Sequence, residues 1–168
     1  MDRNLWCGGG LRKFDGSNWT TYTKANSGLL GNYVHSIAVD KNNNIWLRYE
    51  DIVQGSWGNP PGLHKFNGSN WTNYTETNSG LLSGDVYRIA IDSNNNVWLG
   101  YANNADGLTK FNGSNWTTYT TSNSGLLYND VRSITVDKNN NIWIGTTYGG
   151  LYNGVNKFDG TTWTNYTE

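Results

Sequence analysis

Three short stretches set an aspartate among oxygen-bearing side chains at alternate positions: DKNNNIW at 40–46, DSNNNVW at 92–98 and DKNNNIW at 137–143. Oxygens in that rhythm are what a calcium loop supplies. Such a loop also wants glycine at position 6 and a bidentate acid at position 12. Counted from Asp40, position 6 is Ile45 and position 12 is Asp51; in the other copies position 12 is Asn103 or Tyr148. Asparagine, by contrast, tolerates left-handed backbone angles and closes turns with its own side chain. The expectation is therefore a turn, with no metal site and no cofactor.

Acid–base groups are sparse. Glutamate occurs only at 50, 76 and 168, and the histidines are His35 and His64. Neither histidine falls in a nucleophile–base or metal-ligand spacing. Glu50, Asp51 and Asp106 are the acids that could meet from different segments as a glycosidase pair. Solvated loop acids are the simpler reading, and no catalytic residue is expected. A carbohydrate-active enzyme stays as an alternative.

The elements that would position these groups come from a repeat. K-F-[DN]-G recurs at Phe14, Phe66, Phe111 and Phe158, and W-T-x-Y-T follows at Trp19, Trp71, Trp116 and Trp163. N-S-G-L-L starts at Asn26, Asn78 and Asn123, and V-x-x-I-x-[VI]-D ends at Asp40, Asp92 and Asp137. A second tryptophan (Trp46, Trp98, Trp143) follows each aspartate. This frame is rigid. Only the segment from that tryptophan to the next phenylalanine varies in length.

Four short segments lie between turn signals in each repeat: A (34–40), B (44–49), C (62–67) and D (70–75). They are rich in Val, Ile, Thr, Trp and Tyr and bounded by Gly and Asn, which indicates strands. Their apolar residues often sit three apart, so both faces of the sheet must be buried. Asn67-Gly68 and its counterparts mark a hairpin between C and D. Small four-stranded meanders, stacked face to face at a period of roughly 40–50 residues, describe β-propeller blades. The expected fold is all-β, a single propeller domain over 1–168 with about four blades. They are blade 1 at 1–23 (strands B-C-D only, without the innermost strand), blade 2 at 34–75, blade 3 at 86–120 and blade 4 at 131–167.

The string N-S-G-L-L…V-x-x-I-x-x-D-x-N-N-N-x-W-[LI]-G…G-L-x-K-F-[DN]-G-x-x-W-T-x-Y resembles the two-component regulator propeller repeats. These form ligand-binding sensor propellers in bacterial hybrid sensor kinases and occur in other exported bacterial proteins. The resemblance covers essentially the whole chain. It implies a sensor-type propeller with strand A along the central channel and an extracytoplasmic location, and it implies no catalytic residue. The chain departs from those sensors in having no kinase or membrane segment and in its small blade number.

Composition agrees with a binding module. Of 168 residues, 14% are aromatic and only 15% charged, and the net charge of −1 gives no basic face for nucleic acid. One cysteine, Cys7, excludes an internal disulfide and sits in a slot held by Leu47, Leu99 and Ile144. No apolar run is long enough to span a membrane, and MDRNLW has no signal-peptide core.

The variable B–C loops should emerge on the same face as the D–A connections, and such loops are where binding resides. Arg48, Tyr49, Glu50, Asp51 and Trp57 from the longest loop join Tyr101, Asn103, Asn104, Asp106, Tyr148 and Tyr152 in a polar, aromatic rim. That rim suits a small carbohydrate or a peptide. The expected function is a non-catalytic sensor-type module that binds through it. The alternative is an assembly unit whose second copy completes a ring of about eight blades. A closed four-bladed ring and a piece of a longer propeller also fit the strand count.

Overall fold

The computed structural model describes residues 5–7, 10–31, 33–50, 52–53, 56–57, 62–101, 106–149 and 151–167. Their regular structure is all strand. Blade 1 holds β1 (Leu5–Cys7), β2 (Leu11–Phe14) and β3 (Trp19–Tyr22). Blade 2 begins with β4 (Tyr33–Val39) and β5 (Ile45–Glu50). A separate ribbon follows, β6 (Ile52–Val53) with β7 (Ser56–Trp57), and then β8 (Leu63–Phe66) and β9 (Trp71–Tyr74) complete the sheet. Blade 3 is β10 (Val86–Ile91), β11 (Val97–Tyr101), β12 (Leu108–Phe111) and β13 (Trp116–Tyr119). Blade 4 is β14 (Asp130–Val136), β15 (Ile142–Tyr148), β16 (Leu151–Phe158) and β17 (Trp163–Tyr166). Blades 2, 3 and 4 are four-stranded antiparallel meanders, and blade 1 has three strands among the described residues. Among the described residues no helix is long and apolar enough to cross a membrane.

Successive residues of a strand point to opposite faces, so each blade has a front face toward the following blade and a back face toward the preceding one. The core lies between blades. Trp46 and Leu63 on the front of blade 2 pack with Val86, Val97, Leu99 and Phe111 on the back of blade 3. Trp98 and Leu108 do the same against Val131, Ile142, Ile144 and Phe158 of blade 4. Leu11 repeats the contact against Ile45, Leu47 and Phe66 of blade 2. Residues three apart in sequence thus serve two different cores.

The connection between blades explains N-S-G-L-L. Asn26 Oδ1 accepts the Thr23 amide (2.7 Å) and its Nδ2 donates to Thr21 O (3.0 Å), which closes the turn. The glycine then lies on the outer tryptophan of the following blade. A Cβ on Gly80 would sit 2.6 Å from the Trp116 ring, and one on Gly125 2.3 Å from Trp163. The leucine after it (Leu29, Leu81, Leu126) is buried between the blades.

Candidate ligand face and the asparagine turns

The asparagine turns join strands A and B at one end of blades 2, 3 and 4. Asp40 Oδ1 accepts the amides of Asn42 and Asn44, both at 2.9 Å. Its Oδ2 accepts Asn44 Nδ2 (2.7 Å) and Trp46 Nε1 (3.0 Å). Asp92 and Asp137 repeat the pattern with Asn96 and Trp98, and with Asn141 and Trp143. The middle asparagines, Asn43, Asn95 and Asn140, take φ of 61°, 68° and 66°, the left-handed region. Protein donors occupy the carboxylate, so the motif works as a turn. The hydrogen bonds also set the charge. Burial raises the Asp40 carboxyl, but bonds from the Trp46 and Asn44 side chains outweigh it, and the group stays ionised below the usual range. At Asp137 the Asn141 side chain leads, followed by Trp143, and the carboxyl falls well below that range.

The strand ends that carry the variable loops lie at the opposite end, beside the D–A connections. Gly107 N donates to Asn129 O at 3.1 Å, tying the B–C loop of blade 3 to the connection that enters blade 4. Tyr148 at the end of β15 stacks on Tyr128 of the same connection, with ring centroids 5.5 Å apart. Tyr148 is 65% exposed. Each inner strand is bulged on this side: the register slips at His35, Tyr87 and Arg132. A bulge re-aims one side chain, and here it produces a row on neighbouring inner strands. Two guanidinium groups lie over the Tyr87 ring, Arg88 at 4.3 Å and Arg132 at 5.2 Å. Arg132 forks onto Asp130 at 2.7 and 2.8 Å, and Thr147 Oγ1 donates to the same carboxylate at 2.8 Å.

The structure distributes the predicted rim residues unequally. Tyr148 stands on the face. Asp106 is half-buried there; burial first, then the charge of Glu76, push its carboxyl up, with Asp85 adding to the rise and a bond from Ser83 opposing it. Arg48 is buried and reaches across to Asp85 of blade 3 at 3.4 Å, so it braces two blades. Tyr49 is buried edge-on against His64, with centroids 4.4 Å apart. Tyr101 has no exposed surface, and burial pushes its phenol up to about 12. Placing Tyr49, Tyr101 and Arg48 on an open rim therefore needs correction. Each lies two residues after a core side chain (Leu47, Leu99, Trp46) and shares its face. Glu50, Trp57 and Tyr152 are described by backbone only, at the ends of β5, β7 and near the start of β16. Asp51, Asn103 and Asn104 lie outside the described residues, as does the side chain of Cys7. Sequence reasoning missed Glu76, Asp85, Tyr128 and the Asp130–Arg132 pair. A signal existed: the D–A connections differ at 24–25, 76–77 and 121–122, and again at 31–33, 83–85 and 128–130, on either side of the constant N-S-G-L-L.

His64 is the other buried titratable group. Burial lowers it to about 4, against a weak opposing pull from Asn73 across the hairpin. Among the described residues no group of three or more His, Cys, Asp or Glu side chains is arranged to hold a metal.

Residues 28–51, 80–103 and 125–148 match the two component regulator propeller family. Three stretches of the chain, together under half of its length, are similar to that family's repeat. Each matched stretch runs from an N-S-G-L-L glycine through strand A and the asparagine turn into the B–C loop. Among solved structures, these repeats are similar to the extracellular domain of the putative hybrid two component system BT3049 from B. thetaiotaomicron (22% identity, TM-score 0.74). That likeness covers 99% of this chain and 22% of that one. The extracellular domain of BT4673 from the same organism gives 15% identity and a TM-score of 0.72, over 99% and 23% of the two chains. A structure of YCF48 bound to D1 peptide gives 10% and 0.61, over 96% and 48%. The chain thus spans about a fifth of the length of those two extracellular domains. No curated protein matches it.

Proposed function

We propose that this propeller is a non-catalytic, sensor-type recognition module of the extracytoplasmic space, and that it binds a small carbohydrate or a peptide on the B–C/D–A face. One observation carries the reading. Among the described residues, Gly107 and Tyr148 of the variable segments meet the D–A connection at one end of the blades, where the exposed Tyr148 stacks on a half-buried Tyr128, while the asparagine turns lie at the other end. Aromatic rings with polar neighbours offer stacking and hydrogen bonds together, which is how such ligands are held. Glu50, Asp51, Trp57, Asn103, Asp106 and Tyr152 complete the candidate set.

A screen of glycans and extended peptides against the intact chain tests this reading, with Trp57→Ala and Tyr148→Ala as controls. Binding that both controls weaken is the expected result. A failure of every ligand class, or binding indifferent to both substitutions, would remove the face from consideration.

A second reading is an assembly unit that completes a larger ring. It is favoured by exposed core-type residues: Trp19 is 55% exposed and Tyr166 49%, whereas Trp71, Trp116 and Trp163 are half-buried.

A further inference from the structure

The aromatic contact between blades is built from two preformed halves. The front half is a tryptophan stacked on the strand-D tyrosine, Trp46 on Tyr74 at 5.7 Å and Trp98 on Tyr119 at 5.8 Å. A lysine lies over each tryptophan, Lys65 at 5.1 Å and Lys110 at 5.5 Å. The back half is a stacked Phe–Trp pair, Phe66–Trp71, Phe111–Trp116 and Phe158–Trp163, with centroids 4.2 to 4.6 Å apart. The halves meet in one repeated way. Trp46 points its edge at Phe111 (6.1 Å, 70°), and Trp98 does so at Phe158 (6.1 Å, 70°). Tyr74 contacts Phe111 and Trp116, and Tyr119 contacts Phe158 and Trp163.

Both halves also occur uncovered. Trp143 stacks on Tyr166 at 5.6 Å on the front of blade 4, with Lys157 5.8 Å over its ring. Val155, in the slot where Leu63 and Leu108 are fully buried, is 41% exposed. On the back of blade 1, Phe14 stacks on Trp19 at 5.0 Å. The two open faces carry the same stacked pairs as the covered ones, with Phe14–Trp19 slightly wider, so docking needs little rearrangement.

We propose that the front of blade 4 binds the back of blade 1 in a second copy of this chain, Trp143 and Tyr166 seating on Phe14 and Trp19. This rests on the assembly reading and names its contact. Two such contacts, related by a two-fold axis along the channel, close a ring of about eight blades. A blade face is the occupant the surface specifies, because the chain carries the matching half and pairs the same two halves internally.

Sedimentation and light scattering on the full chain test the proposal, together with Trp19→Arg and Tyr166→Arg. Both side chains are about half exposed, so the variants should keep the circular dichroism of the parent. The expected mass is twice 18.8 kDa for the parent and the monomer mass for each variant. An equimolar mixture of the two variants retains one intact pair of faces and should recover dimer. A monomeric parent at concentrations of order 100 μM, well above the affinity range of a specific dimer, overturns the proposal and the assembly reading together. A dimer that both variants leave intact overturns the pairing of these faces alone. Open chains longer than two copies overturn the two-copy ring.

Discussion

Lys41 and Asn95 are joined across the boundary between blades 2 and 3. The Lys41 amide donates to Asn95 Oδ1 at 2.8 Å, and the Ser93 amide donates to Asn140 Oδ1 at 2.6 Å across the following boundary. The left-handed asparagines Asn95 and Asn140 thus each fasten the turn before their own. Asn95→Gly keeps the backbone angle available and loses this bond, at a cost of about 1 kcal/mol. Asn95→Ala loses both and should cost about 2 kcal/mol. Urea denaturation of both variants against the parent measures the order; an Asn95→Gly variant as stable as the parent would show that the bond contributes nothing.

The Asp92 carboxylate accepts four donors in a buried turn. Asp92→Asn places an amide against the Asn96 and Trp98 donors and should lower stability by about 2–3 kcal/mol. Chelators should leave the melting temperature of the parent unchanged. A rise in melting temperature on adding calcium would instead restore the metal reading of the turn.

Gly80→Ala drives a Cβ into the packed Trp116 ring and should cost about 1–3 kcal/mol. Gly113 meets nothing within 4 Å, yet its φ is 96°. Gly113→Ala should therefore destabilise through backbone strain alone, by about 1 kcal/mol. Thermal melts should show an altered Trp116 near-ultraviolet signal for the first variant only.

His64 is held neutral by burial, with a folded value lowered to about 4 against 6.5 in the open chain. The unfolded chain binds the proton first, so stability is complete above about pH 6.5 and declines as pH falls toward 4. The full shift corresponds to about 3 kcal/mol. His64→Asn, the residue that blade 4 uses in this slot as Asn156, should flatten the decline in that window. The carboxylates of Asp40 and Asp137 act lower. Their depressed values add stability that is present above the ordinary carboxylate range and lost below it. A variant that keeps the parent's slope between pH 6.5 and 4 would remove His64 as its source.

Much of the fold is legible in the sequence because the Phe, Trp and Gly positions repeat at fixed spacing and each has one packing duty. Trp71, Trp116 and Trp163 read as one position because each receives the same linker glycine. The ribbon of β6 and β7 is not legible, since Ile52, Val53, Ser56 and Trp57 have no counterpart in the other repeats. The site is only partly legible. Strand alternation would have placed Tyr101 with Leu99, and Arg48 with Trp46, on buried faces. The loop reading passed over that parity, because both residues stand where the frame begins to vary. Glu76 and Asp85 lie in connections whose constant flanks hide their variation, and nothing in sequence spacing shows that Asp85 meets Arg48.

The most direct measurement is hydrogen exchange on the intact chain with and without a bound glycan or peptide from the screen. Protection should appear in the B–C loops and at 121–129, with the asparagine turns at 40–44, 92–96 and 137–141 unchanged. Protection confined to those turns would contradict the account, because it would place recognition at the end of the blades that carries the repeat's constant turn.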